Sequence, residues 1–291
     1  MFDTPAPAAP LPSGSRSKFT AIIAVASLFV LAACGDEPLA SPVEDAESTE
    51  PTEESPSPTE DETEEAEPED PGLPSNEDLE SFVEAMGSAS PDDIRAAEDI
   101  VVPGSPAQGY LRHLEHLSEA DRDAGYTSGE TATITAVDDG FEMCLPQEDD
   151  CVGVFRDFVG EDGQIYSFNI DDRAMDDVIL MGDGSVIDGP NGTEIEFITA
   201  YENAAGTHLI FNYMLRSGST GLMAPHGSYR SPSGRQSQTE MTSGAWELSP
   251  DSMSHYSAII PGGEIGGEMH LNIIDSDGYE LSTVTVPAGS E

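Results

Sequence analysis

Six histidines and a large number of carboxylates supply the residue types that metal binding and general acid–base chemistry require. His113 and His116 lie three positions apart, with Glu115 between them. On a helix this spacing places both imidazoles on one side, where they could hold a metal ion if a further ligand joined them. The leucines that alternate with them are expected to form the face of the helix that packs on the core. We therefore predict that both histidines lie on a solvated flank and bind no metal.

No motif in the sequence commits the chain to catalysis. The nucleophile elbow G-x-S-x-G, the phosphate loop G-x-x-x-x-G-K-[ST], the zinc motif H-E-x-x-H and a complete EF-hand loop do not occur. We therefore expect no catalytic residue and no cofactor. The remaining histidines have no acidic or cysteine partner at ligand spacing, and we expect ordinary surface or packed residues at His208, His226, His255 and His270.

Residues 275–280 (DSDGYE) begin like a calcium loop, because oxygen-bearing side chains alternate and are followed by glycine. The bidentate glutamate that closes a 12-residue calcium loop does not follow, and strand-like residues take its place. The Asp277-Gly278 pair is instead typical of a tight hairpin turn. We predict a hairpin here and no calcium site.

Three arginines form a basic island in a stretch that is otherwise free of acids (RSGSTGLMAPHGSYRSPSGR): Arg216, Arg230 and Arg235. In so acidic a chain, this island with the neighbouring Tyr229 is the best candidate for a ligand-binding surface. Planar guanidinium groups suit carboxylates or phosphates, such as those of a cell-wall polymer. The alternative is that these arginines neutralise the protein's own surplus carboxylates.

The first 34 residues have the pattern of an export signal. Residues 1–18 are polar and proline-rich and end in Arg16 and Lys18, and residues 19–33 (FTAIIAVASLFVLAA) form an uncharged apolar run too short to span a bilayer. The run ends in Leu31-Ala32-Ala33-Cys34-Gly35, which resembles the lipobox of bacterial prolipoproteins. The resemblance implies that Cys34 carries a diacylglycerol thioether, becomes the first mature residue and anchors the protein to the cell membrane, facing the extracytoplasmic side. The alternative is a chance cysteine after an ordinary secretory signal or an anchor helix.

The other two cysteines, Cys144 and Cys151, form an even pair once Cys34 is assigned to lipid. They flank a turn-like hexapeptide between two apolar runs. Outside the cytoplasm the natural interpretation is a disulfide that closes a hairpin. Zinc is the alternative, although no further cysteine and no nearby histidine completes a tetrahedral set.

The charge balance of the chain excludes one class of partner. The 291 residues include 57 acidic and 10 basic side chains, for a formal net charge of -47. A field of this sign repels phosphate backbones, so we expect no nucleic-acid binding.

The segment after Cys34 has the composition of a disordered tether. Residues 34–74 consist mainly of Glu, Asp, Pro, Ser and Thr, with 16 acids in residues 35–70. Such a segment cannot bury enough apolar surface to offset the entropy of ordering, and like-charge repulsion extends it. We predict a spacer between membrane and ectodomain; an acidic tail that captures a basic partner is the alternative.

Two folded regions are expected after the tether. Residues 75–175 show three capped helices followed by a strand meander, which predicts an α+β unit with helices packed on an antiparallel sheet. This order of elements resembles the nuclear-transport-factor-like cone folds. Residues 176–192 are rich in Gly and Asp and are expected to connect the units. Residues 193–291 show short strands at regular spacing, which predicts a β-sandwich, similar in architecture to immunoglobulin-like domains but without their Cys…Trp…Cys pattern.

From these features we rank three candidate functions. The first is a surface-displayed, membrane-anchored lipoprotein whose ectodomain binds a cell-wall polymer or an envelope protein without catalysis. The second is an enzyme or enzyme accessory with a pocket in the α+β unit. The third is a solute-binding lipoprotein of a transporter, although the usual alternation of strands and helices in two lobes is missing.

Overall fold

A computed structural model describes residues 72–126, 131–145 and 151–289. The expected signal peptide, the lipid-attachment residue Cys34 and the tether up to residue 71 lie outside the described residues. Within the described ranges, no helix has the length and apolar character that crossing a bilayer requires. The described part is built mainly from antiparallel β-sheets.

The helices begin where serine caps predict them. Asp78 N donates to Ser75 Oγ at 3.2 Å, and Ser90 and Ser105 accept from the backbone in the same way at the next two helices. Proline at the first helical position helps to start the second and third. The helices are α1 (Asn76–Gly87), α2 (Pro91–Ala96), α3 (Pro106–Asp123) and the single turn α4 (Met175–Val178).

Five antiparallel strands follow α3 in simple sequence order and form one sheet. A tight hairpin turn is present at Asp162-Gly163, with the positive φ values of 52° and 80° that such a turn requires. The strands are β1 (Thr133–Val137), β2 (Gly140–Cys144), β3 (Cys151–Glu161), β4 (Gln164–Ile170) and β5 (Arg173–Ala174).

The remaining strands form a six-stranded sheet that faces a four-stranded sheet. The six-stranded sheet has the order β13-β15-β9-β8-β6, with β7 also paired to β8, and the four-stranded sheet has the order β12-β11-β16-β17. Two very short strands, β10 and β14, pair with each other. The strands are β6 (Ile179–Met181), β7 (Val186–Asp188), β8 (Glu194–Glu202), β9 (His208–Arg216), β10 (Leu222–Met223), β11 (His226–Arg230), β12 (Gln236–Gln238), β13 (Met241–Gly244), β14 (Glu247–Leu248), β15 (Met253–Pro261), β16 (Glu268–Ile274) and β17 (Glu280–Pro287).

Two local expectations differ from the structure. Residues 176–192, expected as a connector, contain α4 and the strands β6 and β7, both hydrogen-bonded to β8. Residues 222–228, expected as one strand, are divided between β10 and β11. Pro225 lies between these strands, and a residue without a backbone N–H cannot continue a ladder.

Helix α3 links the two halves of the described chain. One hydrophobic core lies between the helices and the five-stranded sheet, and it also includes Tyr201 and Ile210 from the six-stranded sheet. Tyr110 of α3 meets Tyr201 with ring centroids 5.2 Å apart. A second core fills the space between the six-stranded and four-stranded sheets. One face of the six-stranded sheet therefore covers the second core, and the other face receives α3.

Candidate functional site

A row of small polar side chains crosses the sheet face beneath α3. Ser243, Ser257, Asn212 and Thr199 are register partners in turn across β13, β15, β9 and β8. Their neighbours along these strands point into the second core, because successive side chains of a strand alternate between faces. The surface on which α3 rests is therefore polar at its centre.

His113 of α3 is buried on this row, with only 1% of its surface exposed. Its Nδ1 lies 3.0 Å from Thr199 Oγ1 and 3.1 Å from Asn212 Nδ2, and Asn212 Nδ2 also donates to the His113 carbonyl at 2.9 Å. Burial, together with a smaller effect of the neighbouring His116, lowers the pKa of His113 to about 3. The expected solvated flank is therefore wrong for His113, because two sheets enclose the helix.

His116 lies one helical turn further along α3, against His255 of β15. The two rings meet edge to face with centroids 4.6 Å apart. The pKa of His116 is lowered to about 3, mainly by burial and also by His255 and Arg112, while Asp123 acts in the opposite direction. Among the described residues, four buried atoms of this layer have no hydrogen-bond partner: His113 Nε2, His116 Nε2, Asn212 Oδ1 and Ser257 Oγ.

Asp123, the last residue of α3, forms an ion-pair contact with His255. Its Oδ2 accepts from Ser254 Oγ and from the His255 backbone N–H, each at 2.8 Å, and lies 3.1 Å from His255 Nδ1. A carboxylate is disfavoured at a helix C-terminus by the helix dipole, so these contacts offset an unfavourable position. The two side chains remain 30% and 24% exposed, so the pair lies between the buried layer and solvent.

The contact with Asp123 determines which ring nitrogen of His255 can accept a hydrogen bond. A carboxylate at Nδ1 favours the tautomer with the proton on Nδ1, which leaves Nε2 as the nitrogen that can accept a proton or a hydrogen bond. No local sequence pattern indicates the pair, because 132 positions separate Asp123 from His255. Only the packing of α3 on β15 brings them together.

Four large exposed side chains lie at the end of the two facing sheets where this pair is found. Trp246 is 75% exposed and follows Ala245, whose N–H donates to Ser254 Oγ. Met253 is 45% exposed and begins β15, on the same face as His255 two residues later. We call the four exposed side chains at this end the distal tip: Tyr126, Trp246, Met253 and Tyr279.

Tyr126 and Tyr279 are placed at the distal tip by backbone contacts. The Tyr126 N–H donates to the carbonyl of Asp121 in the last turn of α3. Tyr279, 71% exposed, lies in the turn between β16 and β17. Leu222 brings this turn to the same end, because it is bridged to Asp275 and paired with Leu248 of β14.

The structure does not bring the basic island together. Arg216 lies at the distal end of β9 and pairs with Glu194 at 3.2 Å. Arg230 and Arg235 lie at the other end of the sandwich, where Arg235 pairs with Glu264 at 3.4 Å. Tyr229 is fully buried, and its hydroxyl donates to the Glu264 carbonyl and accepts from Gly267 N–H. The expectation that Tyr229 contributes to a binding surface is therefore wrong.

The cysteine pair and the calcium-like segment are the remaining predicted features. Cys144 and Cys151 form the predicted disulfide, with an S–S distance of 2.00 Å, which closes the β2–β3 hairpin. With Glu142 they are the one set of three metal-ligand side chains within reach of each other in the described ranges, and both sulfurs are used by the bond. The calcium-like segment is a turn in which Asp275 Oδ1 accepts from the N–H groups of Asp277 and Tyr279.

Comparisons of this chain with protein-family models, with curated proteins and with solved structures found no match. The function of the chain is therefore inferred from its own side chains.

Proposed function

We propose that this chain is a membrane-anchored bacterial lipoprotein, displayed on the extracytoplasmic side through diacylglycerol on Cys34. Its ectodomain binds a component of the cell envelope and does no chemistry on it. A single acyl chain holds a protein only weakly in a membrane, whereas the two chains of a diacylglyceryl cysteine give a stable anchor.

The observation that carries this proposal is the Cys144–Cys151 disulfide. Disulfides persist in oxidising compartments and are rare in the cytoplasm. With these two cysteines paired, Cys34 is the remaining thiol of the chain, and it directly follows the apolar run and the small residues of the lipobox pattern. Cysteine parity and the export pattern thus support the same compartment.

The architecture proposed for the ectodomain is an α+β unit, residues 75–175, followed by a β-sandwich, residues 193–291. The two hydrophobic cores support this division, and the shared packing of α3 couples the two parts. Gly72 accepts from Gly163 N–H at the turn between β3 and β4, so the tether joins the ectodomain there. About 38 residues between Cys34 and this point could extend on the order of 120 Å.

Metabolic labelling tests the anchor directly. Cells expressing the full chain are grown with an alkyne-tagged fatty acid, and the purified chain is examined for label. We expect label and membrane fractionation for the wild type, and neither for Cys34→Ser. The paired substitution Cys144→Ser with Cys151→Ser is the control, because it removes two thiols and leaves the lipobox intact. An unlabelled wild-type chain in the cytosol would overturn the proposal.

Catalysis is a second candidate, favoured by the contact between His255 Nδ1 and Asp123. A histidine held in this way can act as a general base through Nε2. The discriminating measurement is whether any bound envelope component is chemically changed, and whether His255→Asn abolishes that change while binding remains.

A further inference from the structure

The distal tip exposes four large apolar or aromatic side chains to solvent. Trp246 is the only tryptophan of the chain, and its side chain is more exposed than that of any other large hydrophobic residue in the described ranges. Tyr279 follows at 71%, and Met253 and Tyr126 at 45% each. Single exposed hydrophobic residues are common, but a group of four at one end of a molecule indicates an interaction surface.

The distal tip lies at the end of the ectodomain away from the tether. Gly72 meets the β3–β4 turn, and β4 is bridged to Val101, four residues before the serine that caps α3. The other end of α3, at Asp123, contacts β15 beside the tip. Since α3 has 18 residues, it separates these two ends by about 27 Å. The tip is therefore at the end of the folded part opposite Gly72.

Hydrogen-bonding groups lie at the same end of the folded part, because Ala245, next to Trp246, donates to Ser254 Oγ, which in turn donates to Asp123. Asp123 and His255 are both partly exposed, and His255 shares a strand face with Met253. Aromatic faces stack on the C–H faces of pyranose rings, while carboxylate and imidazole groups bond to the ring hydroxyls. This combination of flat apolar and polar contacts matches a sugar better than a purely apolar partner.

The net negative charge of the chain disfavours one class of sugar polymer, the anionic ones. A formal net charge of -47 repels polymers that carry phosphate or carboxylate groups. Arg216, the basic residue at this end of β9, is paired with Glu194 and does not offer a free positive charge. The same negative charge disfavours insertion of the tip into an anionic lipid surface. An uncharged glycan meets no such repulsion.

We propose that the distal tip binds the uncharged glycan strands of the cell wall, by stacking Trp246 and Tyr279 on N-acetylated amino-sugar rings, with Asp123 and His255 bonded to their hydroxyls. This inference rests on the proposed function and names the ligand class of its binding ectodomain. A weak contact at each ring is sufficient, because a polymer offers many equivalent sites and the membrane holds many copies of the protein.

The unique tryptophan allows the site to be observed directly. The full chain, extracted from membranes in a non-ionic detergent, is titrated with the hexamer of N-acetylglucosamine while fluorescence is recorded. We expect a saturable blue shift and reduced quenching by acrylamide, because a sugar ring stacked on Trp246 removes water from the indole. The monomer should give a much weaker response. An unchanged spectrum at millimolar hexamer would overturn the inference.

Substitutions separate stacking from folding. Retention of the full chain on insoluble N-acetylglucosamine polymer should fall about tenfold for Trp246→Ala and for Tyr279→Ala, and less for Trp246→Phe, which keeps an aromatic face. Tyr166→Ala is the matched control, since Tyr166 is an exposed tyrosine on β4, away from the tip. Equal retention of all four variants, with unchanged thermal unfolding, would place any glycan binding elsewhere and overturn the site.

Three further outcomes distinguish this inference from the proposed function. A chain that carries label on Cys34 but shows no tryptophan response overturns the glycan site and leaves the membrane anchor standing. Retention on anionic vesicles or on a basic protein column, but not on the glycan, overturns the ligand class. Release of new reducing ends that depends on His255 supports the glycan site and overturns the non-catalytic part of the proposed function.

Discussion

His113 and His116 are buried as neutral imidazoles, and this makes them the residues most sensitive to acid. Burial lowers the pKa of each to about 3, well below the value of an exposed histidine near 6.5. Thr199 and Asn212 lie within hydrogen-bond distance of His113 Nδ1, and no carboxylate of the described residues is hydrogen-bonded to this ring. A proton added to either ring would place a charge in the layer between α3 and the sheet.

We expect the contribution of these two histidines to the stability of the folded part to fall as pH decreases from about 6.5 toward 3. In this window the unfolded chain binds protons on these histidines and the folded chain does not, so stability increases with pH. Each histidine contributes a slope of at most about 1.4 kcal/mol per pH unit. The measurement is the free energy of unfolding in urea at a series of pH values.

Substitution isolates the contribution of one histidine. His113→Gln should flatten the pH dependence by up to this slope, whatever its own stability at neutral pH. His226→Gln is the control, because His226 is an exposed histidine on β11. Parallel pH profiles for the wild type and His113→Gln would show that the ring is not the group that titrates.

At the scale of elements, much of the described secondary structure could be predicted, because its signals are local. Serine caps at Ser75, Ser90 and Ser105 mark the three helix starts, and Asp-Gly pairs mark the hairpins. Short strands such as β6 and β7 were missed, since three residues are too few to show an alternating pattern. The site could not be predicted, because α3 meets β15 only through contacts more than 120 positions apart in the chain.

Strand β15 offers a comparison of two serines that lie against α3. Ser254 Oγ donates to Asp123 and accepts from Ala245 N–H, whereas Ser257 Oγ is buried without a partner among the described residues. Ser254→Ala should cost about 1–3 kcal/mol, because it removes a bond to a charged group and leaves a donor unpaired. Ser257→Ala should be neutral or stabilising, because it removes a hydroxyl that loses its bonds to water on folding and gains no hydrogen bond in the folded chain.

Urea unfolding of the two variants at neutral pH measures this contrast. Both substitutions remove one oxygen from the same strand, so each is the control for the other. A loss for Ser257→Ala as large as that for Ser254→Ala would contradict the expectation and indicate that a buried water bonds to Ser257 Oγ.

At the scale of the whole molecule, the net charge of -47 acts against compaction. We expect the melting temperature to rise by about 5 °C or more between 10 mM and 1 M salt, since the screening length shortens from about 30 Å to about 3 Å. NaCl and KCl at equal ionic strength should give the same curve, because screening does not distinguish the cations. A rise confined to one cation would indicate specific binding instead.

The position of α3 also determines how the described part of the chain unfolds. A chain of two independent domains would show two transitions, whereas here the first core contains Tyr201 and Ile210 from the six-stranded sheet. Loss of either half therefore exposes apolar surface in the other. We expect a single calorimetric transition with equal calorimetric and van't Hoff enthalpies.

Substitution of one ring tests this coupling. Tyr110→Ala, which removes the ring that contacts Tyr201, should lower the temperature of this transition or divide it in two. Tyr279→Ala, at the exposed turn, should leave the transition temperature unchanged. Two separate transitions in the wild type would contradict the coupling.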